Sequence, residues 1–115
     1  MALTLYGIPN CDTVKKARVW LDQHAMAHAF HDYKKAGINR ILLEGWVVEH
    51  GWEVVLNRAG MTFRALPEAE KVCLDAGKAI NLMLAQPSMI KRPVLDLGDR
   101  TLVGFKPERY AAVLI

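Results

Sequence analysis

The pattern of apolar and polar residues divides the chain into three parts, and the first part predicts a β-α-β unit. Apolar residues alternate over 2–6, follow helical spacing from Asp12 or Thr13 to about Gln23, and alternate again over 28–33. A helix of that length can cross the sheet and bring the two strands into parallel pairing. Asp12 or Thr13 is expected to cap the helix. The helix is expected to bury the stripe Val14, Ala17, Leu21 and Ala25.

The second part, at about 37–87, is predicted to be an inserted helical subdomain. Asn39 is suited to cap a helix, and a short helical turn is expected over 52–58. Pro67 then opens a longer helix that ends before Pro87. This longer helix is expected to bury the apolar stripe Leu66, Ala69, Val72, Cys73, Ala76, Ile80, Met83 and Leu84.

The third part predicts a β-hairpin followed by a short helix. Segments 93–97 and 101–105 have the composition of strands, and 98–100 carries a turn signal between them. Pro107 opens the closing helix. The order β-α-β, helical insertion, β-β-α predicts an α/β fold of the thioredoxin type, with a mixed sheet in a single domain over 1–115.

Composition narrows the class of protein. The 115 residues are 52% hydrophobic and 23% charged, which is enough for a core without disulfides. Lys and Arg are spread along the chain, and the net charge is only +3, so direct binding of nucleic acid is not expected. With neither a basic leader nor an apolar run long enough for a bilayer, we expect a soluble, cytoplasmic protein away from membranes. A monomer is expected because no exposed apolar stripe remains once the core is assigned.

Cys11 is the candidate nucleophile. It follows a short strand and a turn that contains Gly7 and Pro9, and it precedes the first predicted helix. The free N–H groups and the positive end of a helix dipole stabilise a thiolate, which is the reactive form of cysteine. The alternative, an inert small apolar residue, is less favoured at such a position.

Cys73 is the second cysteine, and its role has two interpretations. Because it lies 62 positions after Cys11, the pair suits neither a disulfide scaffold nor a zinc site, and we expect no metal. Cys73 is either a resolving thiol or part of the buried stripe of its helix, and the buried position is favoured. In that case Cys11 acts alone.

Six segments that follow one another along nearly the whole chain carry a family resemblance. They are 6–17, 30–33, 51–53, 56–58, 90–95 and 102–105. In this order they resemble the arsenate reductase/Spx (ArsC-like) family of thioredoxin-like proteins, and most closely its subgroup of small bacterial YffB-like proteins.

The resemblance implies a nucleophilic cysteine and a pocket of basic side chains for an anion. Cys11 matches the nucleophile. Arg58 and Arg92 match two of the arginines that arsenate reductases place around their oxyanion, and Lys106 stands where a third is found. Pro93 matches the cis-proline of the family, whose backbone groups face the active thiol.

Two further basic residues are candidates for the same anion pocket. Lys15 lies one helical turn after Cys11, within reach of the thiolate or of a substrate carboxylate, although it could equally belong to a solvated helix face. Arg64 is a secondary candidate because it is near Arg58 in the sequence.

The chain also departs from the family pattern at three positions. Gly7 stands where arsenate reductases of the family have a histidine, and Lys106 replaces a bidentate arginine with a point charge. Val14 stands where Spx-like regulators have a second cysteine, so a Cys-x-x-Cys disulfide cannot form.

Together these residues lead to the expectation of a glutathione-dependent thiol/disulfide reductase with one nucleophilic cysteine. Glutathione is then a co-substrate and no cofactor is permanently bound. The substrate is a disulfide or an oxyanion. Two alternatives stay open: an arsenate reductase linked to glutathione and glutaredoxin, and a non-catalytic Spx-like regulator that binds the α subunit of RNA polymerase.

Overall fold

The computed structural model describes residues 2–115, which form two compact units. The sheet unit contains the chain up to Lys35 together with Arg92–Ile115, and the helical unit is Ala36–Lys91. None of the helices described between residues 2 and 115 is long and apolar enough to span a bilayer.

The sheet unit opens with the predicted β-α-β arrangement. Strand β1 (Leu3–Gly7) is followed by helix α1 (Asp12–Gln23) and strand β2 (His28–Asp32). The two strands pair in parallel, from Leu3 opposite His28 to Gly7 opposite Asp32. The second strand is one residue shorter than predicted, because Tyr33 already begins the short helix α2 (Tyr33–Ala36).

The rest of the sheet unit confirms the predicted hairpin and closing helix. Strands β3 (Val94–Asp96) and β4 (Thr101–Val103) are antiparallel, and helix α8 (Pro107–Leu114) follows them. The turn is held by the Asp96 carboxylate, which accepts from the N–H of Gly98 at 2.8 Å. Because β3 also pairs antiparallel with β1, the strand order is β2-β1-β3-β4, a mixed sheet of the thioredoxin-like class.

Helix α1 buries one face in the core of the sheet unit. Burial of such apolar side chains is the main stabilising term of a small domain. The prediction for Ala25 is wrong, because this residue lies beyond the end of α1 with φ 55° and is exposed. The buried residues of α1 are Val14, Ala17, Trp20 and Leu21, and they share a core with Leu3, Leu5, Leu95, Leu97, Leu102 and Tyr110.

The helical unit begins with helix α3, whose cap matches the prediction. The Asn39 side chain accepts from the N–H groups of Ile41 and Leu42, and Gly51 ends the helix with φ 90°. The helices of this unit are α3 (Arg40–His50), α4 (Trp52–Val55), α5 (Met61–Arg64), α6 (Glu68–Lys71) and α7 (Ala76–Ala85), followed by a 3-10 turn (Pro87–Met89).

The long helix predicted between Pro67 and Pro87 is wrong, because α6 and α7 are separate. Asp75 caps α7 through a hydrogen bond from the N–H of Lys78 at 2.8 Å. The Lys78 ammonium also donates to the carbonyl of Val72 at 2.8 Å, in the linker between the helices. These hydrogen bonds stabilise the start of a new helix at Ala76, although the spacing of apolar residues by itself predicts one uninterrupted helix.

This break exposes half of the predicted stripe. The prediction that Cys73 is buried is wrong: Cys73 is exposed and has φ 55°. Of the eight predicted residues, Ile80 and Met83 are buried and Leu66 and Leu84 are half-buried. The exposed members are Ala69, Val72, Cys73 and Ala76.

Candidate active site

Three separate segments of the sheet unit meet at one end of the sheet. The parallel strands β1 and β2 both end there, and they are followed by Cys11 and Tyr33 respectively. Strand β3 runs in the opposite direction, so the Arg92–Pro93 segment that precedes it lies at the same end. We call this the Cys11 end of the sheet. The topology thus brings together residues that are far apart in the sequence.

Cys11 itself is the N-cap of α1, with an extended backbone (φ −87°, ψ 126°). The prediction that Asp12 or Thr13 caps the helix is therefore wrong. No side-chain hydrogen bond closes this cap, which leaves the N–H groups of the first turn available to a negative sulfur. The backbone N–H groups of Val14 and Thr13 both hydrogen-bond to the sulfur and lower the pKa of Cys11.

Arg92 supplies the positive charge of the site. Its side chain hydrogen-bonds to Cys11 and also to Tyr33. Partial burial by itself raises the pKa of Cys11, but the N–H of Val14, the Arg92 guanidinium and the N–H of Thr13 together hold this pKa below its ordinary value. The thiol is consequently converted to the nucleophilic thiolate at a lower pH than that of a free cysteine.

Tyr33 is a site residue that the sequence reasoning missed. Its side chain is fully buried, and its hydroxyl hydrogen-bonds to Arg92. Burial raises the pKa of Tyr33, so the hydroxyl stays neutral and can accept from the guanidinium. The signal that could have found it is its place directly after β2, because the carboxyl ends of adjacent parallel strands meet at the same end of a sheet.

Pro93 ties the Arg92 segment to the end of β4. The Arg92–Pro93 peptide bond is cis, as the resemblance implies. The Pro93 carbonyl accepts from the N–H of Gly104 at 2.8 Å, and Pro93 is buried. The structure therefore fixes the backbone next to Arg92, while contact between Pro93 and a ligand stays a prediction.

The two predicted lysines of the sheet unit are exposed. Lys15 lies in the second turn of α1, and its N–H donates to the Cys11 carbonyl at 2.9 Å as part of the helix. Lys106 is the N-cap residue of α8. Their role in binding an anion stays a prediction.

The two predicted arginines Arg58 and Arg64 belong to the helical unit. The Arg58 guanidinium lies over the Trp52 ring, 5.4 Å from its centroid. Arg64 ends α5, and its carbonyl accepts from the Lys71 ammonium at 2.7 Å. Anion binding by Arg58 and Arg64 stays a prediction.

The arrangement at the Cys11 end of the sheet suits nucleophilic attack by sulfur. A partly exposed thiol with a lowered pKa attacks electrophilic sulfur, and a guanidinium beside it binds carboxylates and oxyanions. Within residues 2–115, no group of three or more His, Cys, Asp or Glu side chains is arranged to hold a metal ion.

Comparisons with known proteins identify the family and support the fold. A model of the ArsC family matches residues 6–113. The solved structure of a YffB protein is 67% identical, with a TM-score of 0.96, and the match covers 98% of this chain and 99% of that one. An arsenate reductase (ArsC) related protein from Brucella melitensis is 53% identical with a TM-score of 0.78, over 98% of this chain and 94% of that one.

Two curated relatives match over almost the whole chain. An uncharacterized protein of Haemophilus influenzae is 39% identical, over 96% of both chains. The global transcriptional regulator Spx of Streptococcus mutans is 27% identical, over 97% of this chain and 82% of its own length. The similar proteins therefore include both a protein related to arsenate reductase and a transcriptional regulator.

Proposed function

This chain belongs to the ArsC family, and on that premise we propose that it is a thiol/disulfide oxidoreductase with Cys11 as its single nucleophile and glutathione as its co-substrate. The observation that carries the proposal is the hydrogen bond from Arg92 to a Cys11 thiol at the N-cap of α1. This arrangement favours a thiolate and places a carboxylate-binding group beside it.

In the first step, the Cys11 thiolate attacks the glutathione sulfur of a mixed disulfide, RS–SG. A sulfur–sulfur bond forms between Cys11 and glutathione, the original disulfide bond breaks, and the substrate leaves as RS⁻, which takes up a proton from solvent. Because the bonded Cys11 sulfur no longer carries a charge, Arg92 becomes available to a glutathione carboxylate.

In the second step, a glutathione thiolate attacks the sulfur of glutathione that is bound to Cys11. Oxidised glutathione is released and the Cys11 thiolate is regenerated, so that RS–SG and GSH are converted to RSH and GSSG. An external thiol fits the chain because Val14 occupies the position of a resolving cysteine in a Cys-x-x-Cys motif. Since Cys73 is exposed, the alternative that it is the resolving thiol is tested directly by Cys73→Ser.

The test is turnover of the cysteine–glutathione mixed disulfide, coupled to the reduction of the oxidised glutathione that is formed. We expect the turnover rate of Cys11→Ser to be at least about a hundredfold lower than that of the wild type, because no other group of the site can replace the sulfur nucleophile. Cys73→Ser is the matched control and should retain the wild-type rate. Full activity in Cys11→Ser would reject the proposal.

Arsenate reduction is the second candidate, and the arsenate reductase related protein at 53% identity favours it. The lack of a side chain at Gly7 weighs against it: a Cβ atom there would lie 2.8 Å from Cγ2 of Val14, so a histidine would require the buried Val14 side chain to move. Measuring arsenite formed from arsenate, with glutathione and glutaredoxin present, distinguishes the two activities.

A regulatory role is the third candidate, and the similarity to Spx over 97% of the chain favours it. Val14 removes the Cys-x-x-Cys pair but does not remove a surface for a partner. A pull-down with the C-terminal domain of the RNA polymerase α subunit tests this role, and a clean negative result would exclude it.

A further inference from the structure

A groove of about 400 Å³ lies on the sheet unit, between α1 and the start of α8. This volume is at the lower end of the range of about 300–1,000 Å³ that is usual for ligand sites. The residues that line it include Lys15, Lys16, Val19, Trp20, Phe105 and Pro107. We call it the α1 groove.

The α1 groove begins one helical turn from the nucleophile. Lys15 and Val19 are spaced by four residues on the same side of α1, and Cys11 is the N-cap residue four positions before Lys15. Each step of four residues advances the helix by about 6 Å. Val19 therefore lies roughly 12 Å along the helix from Cys11, a distance that about four residues of extended peptide cover.

The aromatic walls of the α1 groove are fixed by packing beneath them. The buried Tyr110 ring packs edge-on against the Trp20 ring, with 5.5 Å between the ring centroids, and edge-on against the Phe105 ring, with 4.8 Å between the centroids. His24 stacks on Trp20 at 3.9 Å. Because these rings are already held in place, a ligand does not have to order them on binding.

Charge and polarity indicate what the α1 groove binds. Its walls are mostly apolar, and Val19 is 53% exposed although nothing in its chemistry favours contact with water. Lys15 and Lys16 stand at the groove, and Lys106 lies in sequence between two residues that line it. Among the described residues, no acidic side chain lines the groove. The complementary ligand is therefore both apolar and acidic.

We propose that the α1 groove binds the protein part of the substrate: an extended acidic segment with a large apolar side chain two to four residues from its glutathionylated cysteine. The inference rests on the proposed function, in which this segment is the R group of RS–SG. The segment presents the disulfide to Cys11, the reaction releases it as RSH, and glutathione alone stays bonded to the enzyme.

The test compares three mixed disulfides with glutathione. One is the small cysteine–glutathione disulfide, one is an acidic peptide with a leucine three residues from its cysteine, and one is the same peptide with lysine at every acidic position. For each enzyme, kcat/KM for a peptide is divided by kcat/KM for the small disulfide. The enzymes are the wild type, Val19→Asp and the control Val48→Asp, since Val48 is 87% exposed on α3, outside the groove.

We expect the wild-type ratio for the acidic peptide to exceed that for the lysine peptide by about tenfold, which is the effect of ~1.4 kcal/mol. Val19→Asp should lower the ratio for the acidic peptide about tenfold, because it places a carboxylate in an apolar groove, and Val48→Asp should leave that ratio unchanged. Equal ratios for the two peptides, or no effect of Val19→Asp, would overturn the inference while the reductase activity stands.

A binding measurement separates this inference from the proposed function. If the wild type turns over none of the three disulfides, the proposed function fails. In that case binding of the reduced acidic peptide is followed by the NMR signal of the Trp20 indole in Cys11→Ser. Saturable shifts that disappear in Val19→Asp support the α1 groove, and unchanged signals refute it.

Discussion

At the scale of single residues, the chemistry of the site depends on the contacts of the Arg92 side chain. The guanidinium connects a reactive thiol, Cys11, with a buried hydroxyl, Tyr33. Burial lowers the pKa of Arg92, but its hydrogen bond to Cys11 and its contact with Tyr33 outweigh that effect, so it stays charged. The sequence indicated Cys11 through a local strand-turn-helix pattern, whereas Arg92 came only from the family resemblance, because nothing local links it to the thiol.

Replacing Arg92 tests this electrostatic account. Arg92→Gln removes a positive charge beside the sulfur and the guanidinium hydrogen bond to it, so we expect the pKa of Cys11 to rise toward that of a free thiol. At a pH below the pKa of Cys11 in both proteins, the thiolate fraction, and with it the rate of alkylation, should therefore be clearly lower in Arg92→Gln than in the wild type. The measurement is the pH dependence of alkylation in a Cys73→Ser background. Arg100→Gln, at an exposed turn residue, is the control, and an unchanged pKa in Arg92→Gln contradicts the account.

Removing the Tyr33 hydroxyl tests whether Tyr33 positions Arg92. We expect Tyr33→Phe to raise the pKa of Cys11 by less than Arg92→Gln does. It should also lower the free energy of unfolding by about 1–3 kcal/mol, because the half-buried Arg92 guanidinium loses an acceptor. Tyr110→Phe is the matched control, since the buried Tyr110 hydroxyl has no hydrogen-bond partner among the described residues. A Tyr33→Phe protein with an unchanged Cys11 pKa would show that the hydroxyl has only a structural role.

At the scale of secondary-structure elements, the regular patterns were predictable and the interruption of a pattern was not. The β-α-β unit was predicted because alternation and helical spacing persist over whole elements there. Between α6 and α7 the helical spacing of apolar residues continues through Val72 and Cys73. The Asp75 cap and the hydrogen bond from the Lys78 ammonium to the Val72 carbonyl nevertheless stabilise the start of a new helix. Such local hydrogen bonds are invisible to an argument from apolar spacing, which is why Cys73 was placed in the core.

The close approach of β1 to α1 yields a prediction at this scale. A Cβ atom at Gly7 would lie 2.8 Å from Cγ2 of Val14, and a buried valine cannot easily move aside. We expect Gly7→Ala to lower the free energy of unfolding by about 1–3 kcal/mol, the usual cost of overpacking. Chemical denaturation measures the change.

A double-mutant cycle checks the cause of that loss. If the two side chains clash, Gly7→Ala should cost clearly less in a Val14→Ala background than in the wild type. The same cost in both backgrounds would show that the loss does not arise from contact with Val14.

At the scale of the whole molecule, the family and the sheet topology were predictable, and part of the site was not. Six sequence segments indicated the ArsC family, and the predicted order of elements agrees with the mixed sheet. The sheet unit brings Cys11, Arg92 and Pro93 together at one end of the sheet. Tyr33 ends the segment 30–33 that carries the resemblance, but it was missed as a site residue because its contact with Arg92 depends on the pairing of β1 with β2. The roles of all the predicted site residues, Arg92 included, and the single-domain organisation stay predictions.

The most direct test of the central claim is the mass of the Cys73→Ser protein after treatment with oxidised glutathione and then with excess reduced glutathione. The account predicts one glutathione added at Cys11, faster at pH 7 than to an ordinary thiol because the pKa of Cys11 is lowered, and removed completely by the reduced form. The Cys11→Ser/Cys73→Ser protein should gain no mass. The account would be contradicted if Cys11 formed no adduct with glutathione, or if reduced glutathione could not remove that adduct.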